Sequence, residues 1–293
     1  MSDDRYARQI AFFGEDGQRM LDASRVTIVG VGGTGSHVVQ QLAYLGVRRF
    51  RLVDPDLVET TNLNRLVNGV PGDVEARSPK CSVAERFIRA LHPDAEILKV
   101  EESFVSERGF AALRDSDCIF GCVDRDGARV VLNEFAQAYE IPYLDVATGI
   151  PPNSPTDFGG RIFFSIDGEA CVCCADLLDQ DLIQEDFESE GDKRDHEAIY
   201  GVSRGALGNS GPSVISLNGI LSSLAVTEFL IHVTGLRPAA QQLTYRGSTG
   251  IVTVTPRVRT VDCPYCKPGP LRGAGDLADV QRWIRDGWGK RLR

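Results

Sequence analysis

Two groups of residues in this chain have the types and spacing to do chemistry. The first begins with a glycine-rich run, Gly30-x-Gly32-Gly33-x-Gly35, and continues through Asp54-Pro55-Asp56, Asn62-Leu63-Asn64-Arg65, Lys80 and Asp124. Early glycines let the main chain turn tightly and approach a ligand, and a later one lets helix and strand pack closely. Amides at the start of the following helix then face a negative group. Asp54 lies at the spacing where a carboxylate reaches a ribose hydroxyl. Asp56, Asn62 and Arg65 fall just past a strand's carboxyl end, where open α/β sheets bind ligands. Lys80 sits in the first turn of a helix, where a cation opposes the dipole and a nearby anion would compensate. Asp124 ends another strand on the same side, placed to hold Mg²⁺ near phosphates.

The second group is sulfur. Cys171 and Cys174, and Cys263 and Cys266, form two knuckle-like pairs with two residues inside each. Four thiolates from two such pairs make a closed tetrahedral Zn²⁺ site with no open position for a substrate, so this metal is expected to be structural. Cys173 leaves the register open, either as a ligand in place of Cys174 or as a spare thiol. Cys81, Cys118 and Cys122 fall in apolar patterns and read as small core residues.

The elements that position these groups alternate. Val26–Val29 is a β-branched run of the buried parallel kind, followed by a helix through Tyr44 that stops at Gly46. Strands are expected at 50–53, 97–100, 117–124 and 143–147, with helices at 79–92, 107–113 and 128–140. That alternation predicts a doubly wound, mostly parallel Rossmann-like α/β sheet. From about residue 150 the texture changes: a strand at 160–166, then an acidic segment from Asp176 to about His196 with too few apolar residues for a packed core. A strongly apolar helix over 212–234 follows, buried or lying across a subunit interface. A hairpin around Gly250 adds antiparallel strands to the sheet. Residues 2–25 predict a helix through Met20 packed on the sheet, with Arg5 and Arg8 as a candidate phosphate-seeking arm.

With 293 residues, 42% of them hydrophobic, the chain can bury a substantial core. A net charge of −9 makes nucleic acid an unsuitable bulk partner. No apolar run approaches the ~20 residues of a membrane span, and Met1-Ser2-Asp3-Asp4-Arg5 has no signal-peptide core. A cytoplasmic protein without membrane contact is the expectation, and a reducing compartment favours metal over disulfides for the cysteines.

Arg5-Tyr6-Ala7-Arg8-Gln9 ahead of a glycine loop, Asp54-Pro55-Asp56, Asn62-Leu63-Asn64-Arg65, Lys80, Asp124 and paired CxxC motifs together resemble the ThiF/MoeB/HesA family. These are adenylyltransferases that activate ubiquitin-like and sulfur-carrier proteins. The resemblance covers about residues 5–266 and implies MgATP-dependent adenylation of the C-terminal glycine of a β-grasp carrier protein. It implies one adenylation domain over 1–267, with a crossover loop at about 175–210. In the tail 268–293, outside the resemblance, Gly/Pro residues 268–275 read as a linker and 276–286 as a short amphipathic helix with Trp283. Gly30, Gly32, Gly33 and Gly35 would cradle the nucleotide and Asp54 hold the ribose. Asn62, Arg65 and Lys80 would surround the phosphates, and Asp124 hold Mg²⁺. Arg8 would reach into the partner protomer's site, making a homodimer. A conjugating or sulfur-transfer protein would act downstream.

Two departures stand out. Leu66 replaces the glutamine that often follows the family's arginine, which removes one polar contact near the nucleotide. Residues 175–262 contain no cysteine, where members that pass the glycine to a thiol carry one. Ser203, Asn209 and Ser210 occupy that neighbourhood, and a serine without a base is no substitute for a thiolate. Adenylation without a thioester is therefore expected, with Cys173 the one stand-in. The competing readings are an NAD-dependent oxidoreductase, a non-catalytic scaffold subunit and adenylation of a short peptide.

Overall fold

The computed structural model describes residues 4–151, 154–166, 169–187, 212–256, 260, 262–267, 271–290 and 292. Its frame is one eight-stranded sheet in the order β3-β2-β1-β4-β5-β6-β7-β8. The strands are β1 (Arg25–Val29), β2 (Arg49–Val53), β3 (Glu96–Val100), β4 (Cys118–Gly121), β5 (Tyr143–Gly149), β6 (Gly159–Ser165), β7 (Gln242–Arg246) and β8 (Ile251–Val254). The first five run parallel, with Val26 level with both Phe50 and Cys118. The last three pair antiparallel.

Alternation along the strands decides what each face buries. Ile28, Phe50, Leu52 and Phe120 point to one face, under helices α1 (Ala7–Ala23), α2 (Gly33–Leu45) and α4 (Lys80–Leu91). Val29, Val53, Ile119 and Phe163 point to the other, under α5 (Glu107–Arg114) and α6 (Asp126–Tyr139). A short helix, α3 (Pro71–Glu75), precedes α4. Because β1 lies between β2 and β4, consecutive crossovers leave on opposite faces, and a crevice opens where they part.

Helix α1 is broken at Gly14 and packs as the sequence implied. Its leading Arg5 donates to the Leu91 carbonyl at 2.8 Å, at the negative end of α4. In the described part of the acidic segment, where too few apolar residues for a packed core were expected, Gln180–Phe187 forms helix α7. Its anchors are non-local, with Asp186 accepting from the Gly127 amide at 2.9 Å and the Asp179 amide donating to Asp126 at 2.8 Å. Ser203, Asn209 and Ser210 lie outside the described residues.

The apolar helix is α8 (Ile215–Thr234). Among the described residues it is the one helix long and apolar enough, by length and composition, to cross a membrane. Within the fold its apolar surface packs against α1, α2, β5 and β6. Beyond residue 270, a 3₁₀ turn (Gly275–Ala278) and α9 (Arg282–Arg285) stand where one amphipathic helix was expected. This segment lies on α6, with the Gly273 amide donating to the Gln137 carbonyl at 3.2 Å.

Candidate functional site

The crevice between β1 and β4 holds a cavity of about 440 Å³, within the range of small-molecule sites. Its floor is the glycine run. Gly30 has φ +85° and lies so near the Cys122 carbonyl that a side chain is excluded. A Cβ on Gly35 would overlap the Gly30 carbonyl, which is the close helix–strand approach expected of that position. Around Gly32 a Cβ would meet nothing within 4 Å, and this glycine faces the cavity.

Asp54 fixes this loop. One carboxylate oxygen accepts from the Val31 amide at 2.6 Å and the other from the Asp56 amide at 2.8 Å. Burial pushes its pKa up, although Lys80 nearby works the other way. The Lys80 ammonium is 2.7 Å from Asp56 and its side chain is only 12% exposed. Burial disfavours that charge, but Asp54 and Asp56 outweigh it and raise the lysine above its usual value. The lysine at the helix start thus has its anion, and that anion is the protein's own carboxylate pair.

Arg65 lines the cavity and donates to the Thr61 carbonyl at 2.6 Å. Asp124 is an exposed lining residue beyond the end of β4. Gly30, Gly32, Gly33, Asp54, Asp56, Arg65, Lys80 and Asp124 are therefore brought together. Asn62 does not line the cavity; its side-chain oxygen accepts from the Glu59 amide at 3.0 Å and orders the turn that carries Arg65. Gly35 lies one layer below, and Arg8 is exposed on α1. Leu66 corrects an expectation: it packs with Val58 and Val83 in a small apolar cluster, so no contact in the cavity is lost there.

Sequence reasoning missed several contributors. Arg129, buried in the first turn of α6, lines the cavity and lies 3.6 Å from both Asp126 and Asp145. Asp145 in turn pairs with Arg161. Burial alone would raise Asp145, but Arg129 and Arg161 hold it below the usual carboxylate value. The signal was present, since Arg129 opposes a helix dipole as Lys80 does. Ser213 and Pro212 bring the start of α8 to the cavity, and Asn218 packs on Gly33. Cys122 lines the cavity as well, where a core position was expected; burial and Asp145 push its thiol up to about 12. A second depression of about 810 Å³ adjoins the cavity, sharing Gly149 and Ile150 and running along β6 and β7 past Arg161, Thr244 and Tyr245.

The sulfur group converges apart from this cavity. The thiols of Cys171, Cys174, Cys263 and Cys266 all lie within 4.8 Å of one another. Neighbouring sulfurs are 3.7 Å apart for Cys171–Cys263, 3.9 Å for Cys171–Cys174 and 3.2 Å for Cys174–Cys266. A tetrahedron with Zn–S bonds near 2.3 Å sets sulfurs about 3.8 Å apart, so the donor set fits zinc. Burial opposes ionisation of Cys174, but hydrogen bonds from the Cys171 main chain and the Cys266 thiol draw it down to about 7. Cys173 packs beside the cluster and accepts from the Asn133 amide at 3.5 Å, but its thiol is not one of the four that converge. The register is thereby resolved in favour of Cys171 and Cys174.

Comparison with known proteins matches residues 6–265 to the ThiF family. The chain belongs to that family. Among ThiF-family and related proteins it is 36% identical over 143 residues to the SAMP-activating enzyme E1 of Haloferax volcanii, covering 48% of this chain and 52% of that one. It is 32% identical to the sulfur carrier protein ThiS adenylyltransferase of Bacillus subtilis, covering 48% and 42%. It is also 32% identical to the molybdopterin-synthase adenylyltransferase of Escherichia coli, covering 59% and 68%. The chain thus spans about half the length of the first two of these relatives. In fold it is similar to E. coli MccB solved with ATP, at a TM-score of 0.70 and 17% identity, covering 90% of this chain and 75% of that one. A doubly wound sheet extended by antiparallel strands, with a four-cysteine cluster, is the ThiF-family architecture found here.

Proposed function

We propose that this chain uses MgATP to adenylate the C-terminal glycine of a ubiquitin-like or sulfur-carrier protein of β-grasp fold, with release of pyrophosphate. One observation carries the reading: Arg65, Lys80 and Arg129 face the same switch-point cavity as the glycine loop and Asp124. The obstacle to the reaction is charge, because an anionic carboxylate must approach a triphosphate. A hydride transfer, the competing reading of a glycine loop with Asp54, has no such need for three cations.

The main chain of Gly30–Gly35 cradles the nucleotide, Asp54 receives the ribose hydroxyls, and Asp56 steadies Lys80. Asn62 holds the turn that presents Arg65, and Arg65 and Lys80 offset the phosphate charge. A carboxylate oxygen of the glycine attacks the α-phosphorus, and the bond from that phosphorus to the bridging oxygen breaks. Its electron pair leaves with pyrophosphate, and no proton has to move. Asp124 would hold Mg²⁺, which would add charge neutralisation at the phosphates. Catalysis is then positioning and electrostatics, with no covalent role for the protein. The depression along β6 and β7 accepts an extended chain end and leads it to Gly149 at the cavity. Arg8, exposed on α1, serves the site of a partner protomer in a homodimer. With no cysteine in 175–262, the activated glycine passes directly to a sulfur-transfer or conjugating protein.

The relatives' activities toward carrier proteins support the substrate class. A short peptide is the second reading, since the depression accommodates an extended segment whether or not a folded body follows it. Exchange of labelled pyrophosphate into ATP tests both. The expected result is exchange that depends on a glycine-terminated β-grasp protein. Exchange with the isolated tail peptide alone selects the second reading, and no exchange with either removes adenylation.

A further inference from the structure

The described residues of the tail, 271–290 and Leu292, lie beyond the matched residues 6–265, yet they are built into the site. Glu134 on α6 is 2% exposed, and both its oxygens are taken by Arg282, at 2.5 and 2.7 Å. A carboxylate buried this far is tolerated only with its partner in place, so α6 is made to receive this segment. Val280 is fully buried against the same helix, and Arg272 lies 3.2 Å from Glu140. Trp283 stacks on Phe187 of α7 at 5.4 Å, and Trp288 meets the same ring edge-on at 5.0 Å. The segment thus holds α7 as well as α6.

Its far end reaches the cavity. Gly289 lies against the chain after β3, where a Cβ would overlap the Val105 carbonyl. Leu292 donates its amide to the Trp288 carbonyl at 3.0 Å, is 3% exposed, and lines the cavity with Ser103 and Phe104. The glycine loop, Arg65 and Asp124 supply the polar walls, and Phe104 with Leu292 supplies an apolar one. Purine bases bind between apolar side chains, whereas phosphates and ribose need polar ones.

We propose that Leu292 is a base-contacting residue of the nucleotide site, and that segment 271–292 is the clasp that positions it. The inference rests on the nucleotide reading above and adds the part of the ligand that this segment recognises. Because Trp283 and Trp288 also grip Phe187, a nucleotide that fills the cavity tightens the hold on α7. Ligand and clasp stabilise each other by the same amount.

The test uses the full chain and two probes, MgATP and magnesium tripolyphosphate, which carries the phosphates without base or ribose. Binding is measured by equilibrium dialysis. The chain's two tryptophans are Trp283 and Trp288, so intrinsic emission reads the clasp alone. In the wild type, emission should change along the ATP binding curve. Leu292→Asn, polar but uncharged so that it does not repel the phosphates, should weaken ATP about tenfold while leaving tripolyphosphate unchanged. Gly289→Val, which pushes the tip away from Val105, should do the same. Leu292→Ala, a gentler change, should lower ATP affinity severalfold and guards against a folding defect in the other two. Equal loss for both probes, or no loss for either, overturns the clasp proposal. A wild-type chain that binds tripolyphosphate but gains nothing from the base overturns it too. A wild-type chain that binds neither probe overturns the nucleotide reading itself.

Discussion

The parallel and antiparallel halves of the sheet are held by different means. Around β1, β2 and β4 the main chain does most of the positioning: Gly35 fits under the Gly30 carbonyl, and Asp54 ties Val31 to Asp56. Beyond β5, side chains far apart in sequence do it, with four thiols from the chain after β6 and the chain after β8 gathered in one cluster. The first half holds its loop by contacts within the main chain, in line with the strand register. The second half can vary in loop length and still close, because its closure depends on four atoms.

The sharpest way to break this comparison is at the cavity. Asp124→Ala and Arg65→Ala should each lower carrier-dependent pyrophosphate exchange by 10²-fold or more, with thermal unfolding unchanged. Unaltered exchange would remove either residue from the chemistry. Next in size is the sulfur cluster. Replacing Cys174 and Cys266 by serine should abolish bound zinc, measured by atomic absorption, and cost several kcal/mol of stability. Below the lowered melting temperature, exchange should stay within a few-fold of wild type, because a closed four-thiolate site offers no position to substrate. Activity lost from a chain that remains folded would give the metal a chemical role.

A smaller effect sharpens the account of Arg8. Arg8→Ala and Lys80→Ala should each be inactive alone. Mixed in equal amounts and allowed to exchange subunits, they should recover about a quarter of wild-type sites, since one heterodimer arrangement has both residues intact. No recovery would confine Arg8 to its own chain. The smallest effect is electrostatic. Asp145 is held below its usual 3.8 by Arg129 and Arg161, despite burial. Its contribution to stability is therefore complete above pH 3.8 and is lost as pH falls through the lower folded-state value. Urea unfolding at a series of pH values should show this loss, with a steepness of about one proton, and Asp145→Asn should lack it.

How far the sequence spoke follows the same division. Val26–Val29, the glycine run and the helix beginning near Lys80 were legible because a β-branched run, a Cβ-free turn and a helix start are local constraints. The pairing of Cys171 with Cys174 was legible as spacing, though only the convergence of four thiols shows that Cys173 is not among them. Helix α7 was not legible, because one of its apolar anchors, Phe187, finds its partners about a hundred residues later, at Trp283 and Trp288. Leu66 was misread for a similar reason: nothing beside it announces Val58 and Val83 as neighbours. Arg129 was overlooked although it carried the same helix-start signal as Lys80.

The thiol cluster has one more consequence. It brackets the excursion that leaves β6 and returns after β8, so the ends of that excursion stay fixed whatever lies between α7 and α8. Doubling the length of a tethered flexible stretch costs only about 0.6 kcal/mol. Descendants of this chain could therefore graft a longer connection there and meet a new protein, while the catalytic crevice kept its shape.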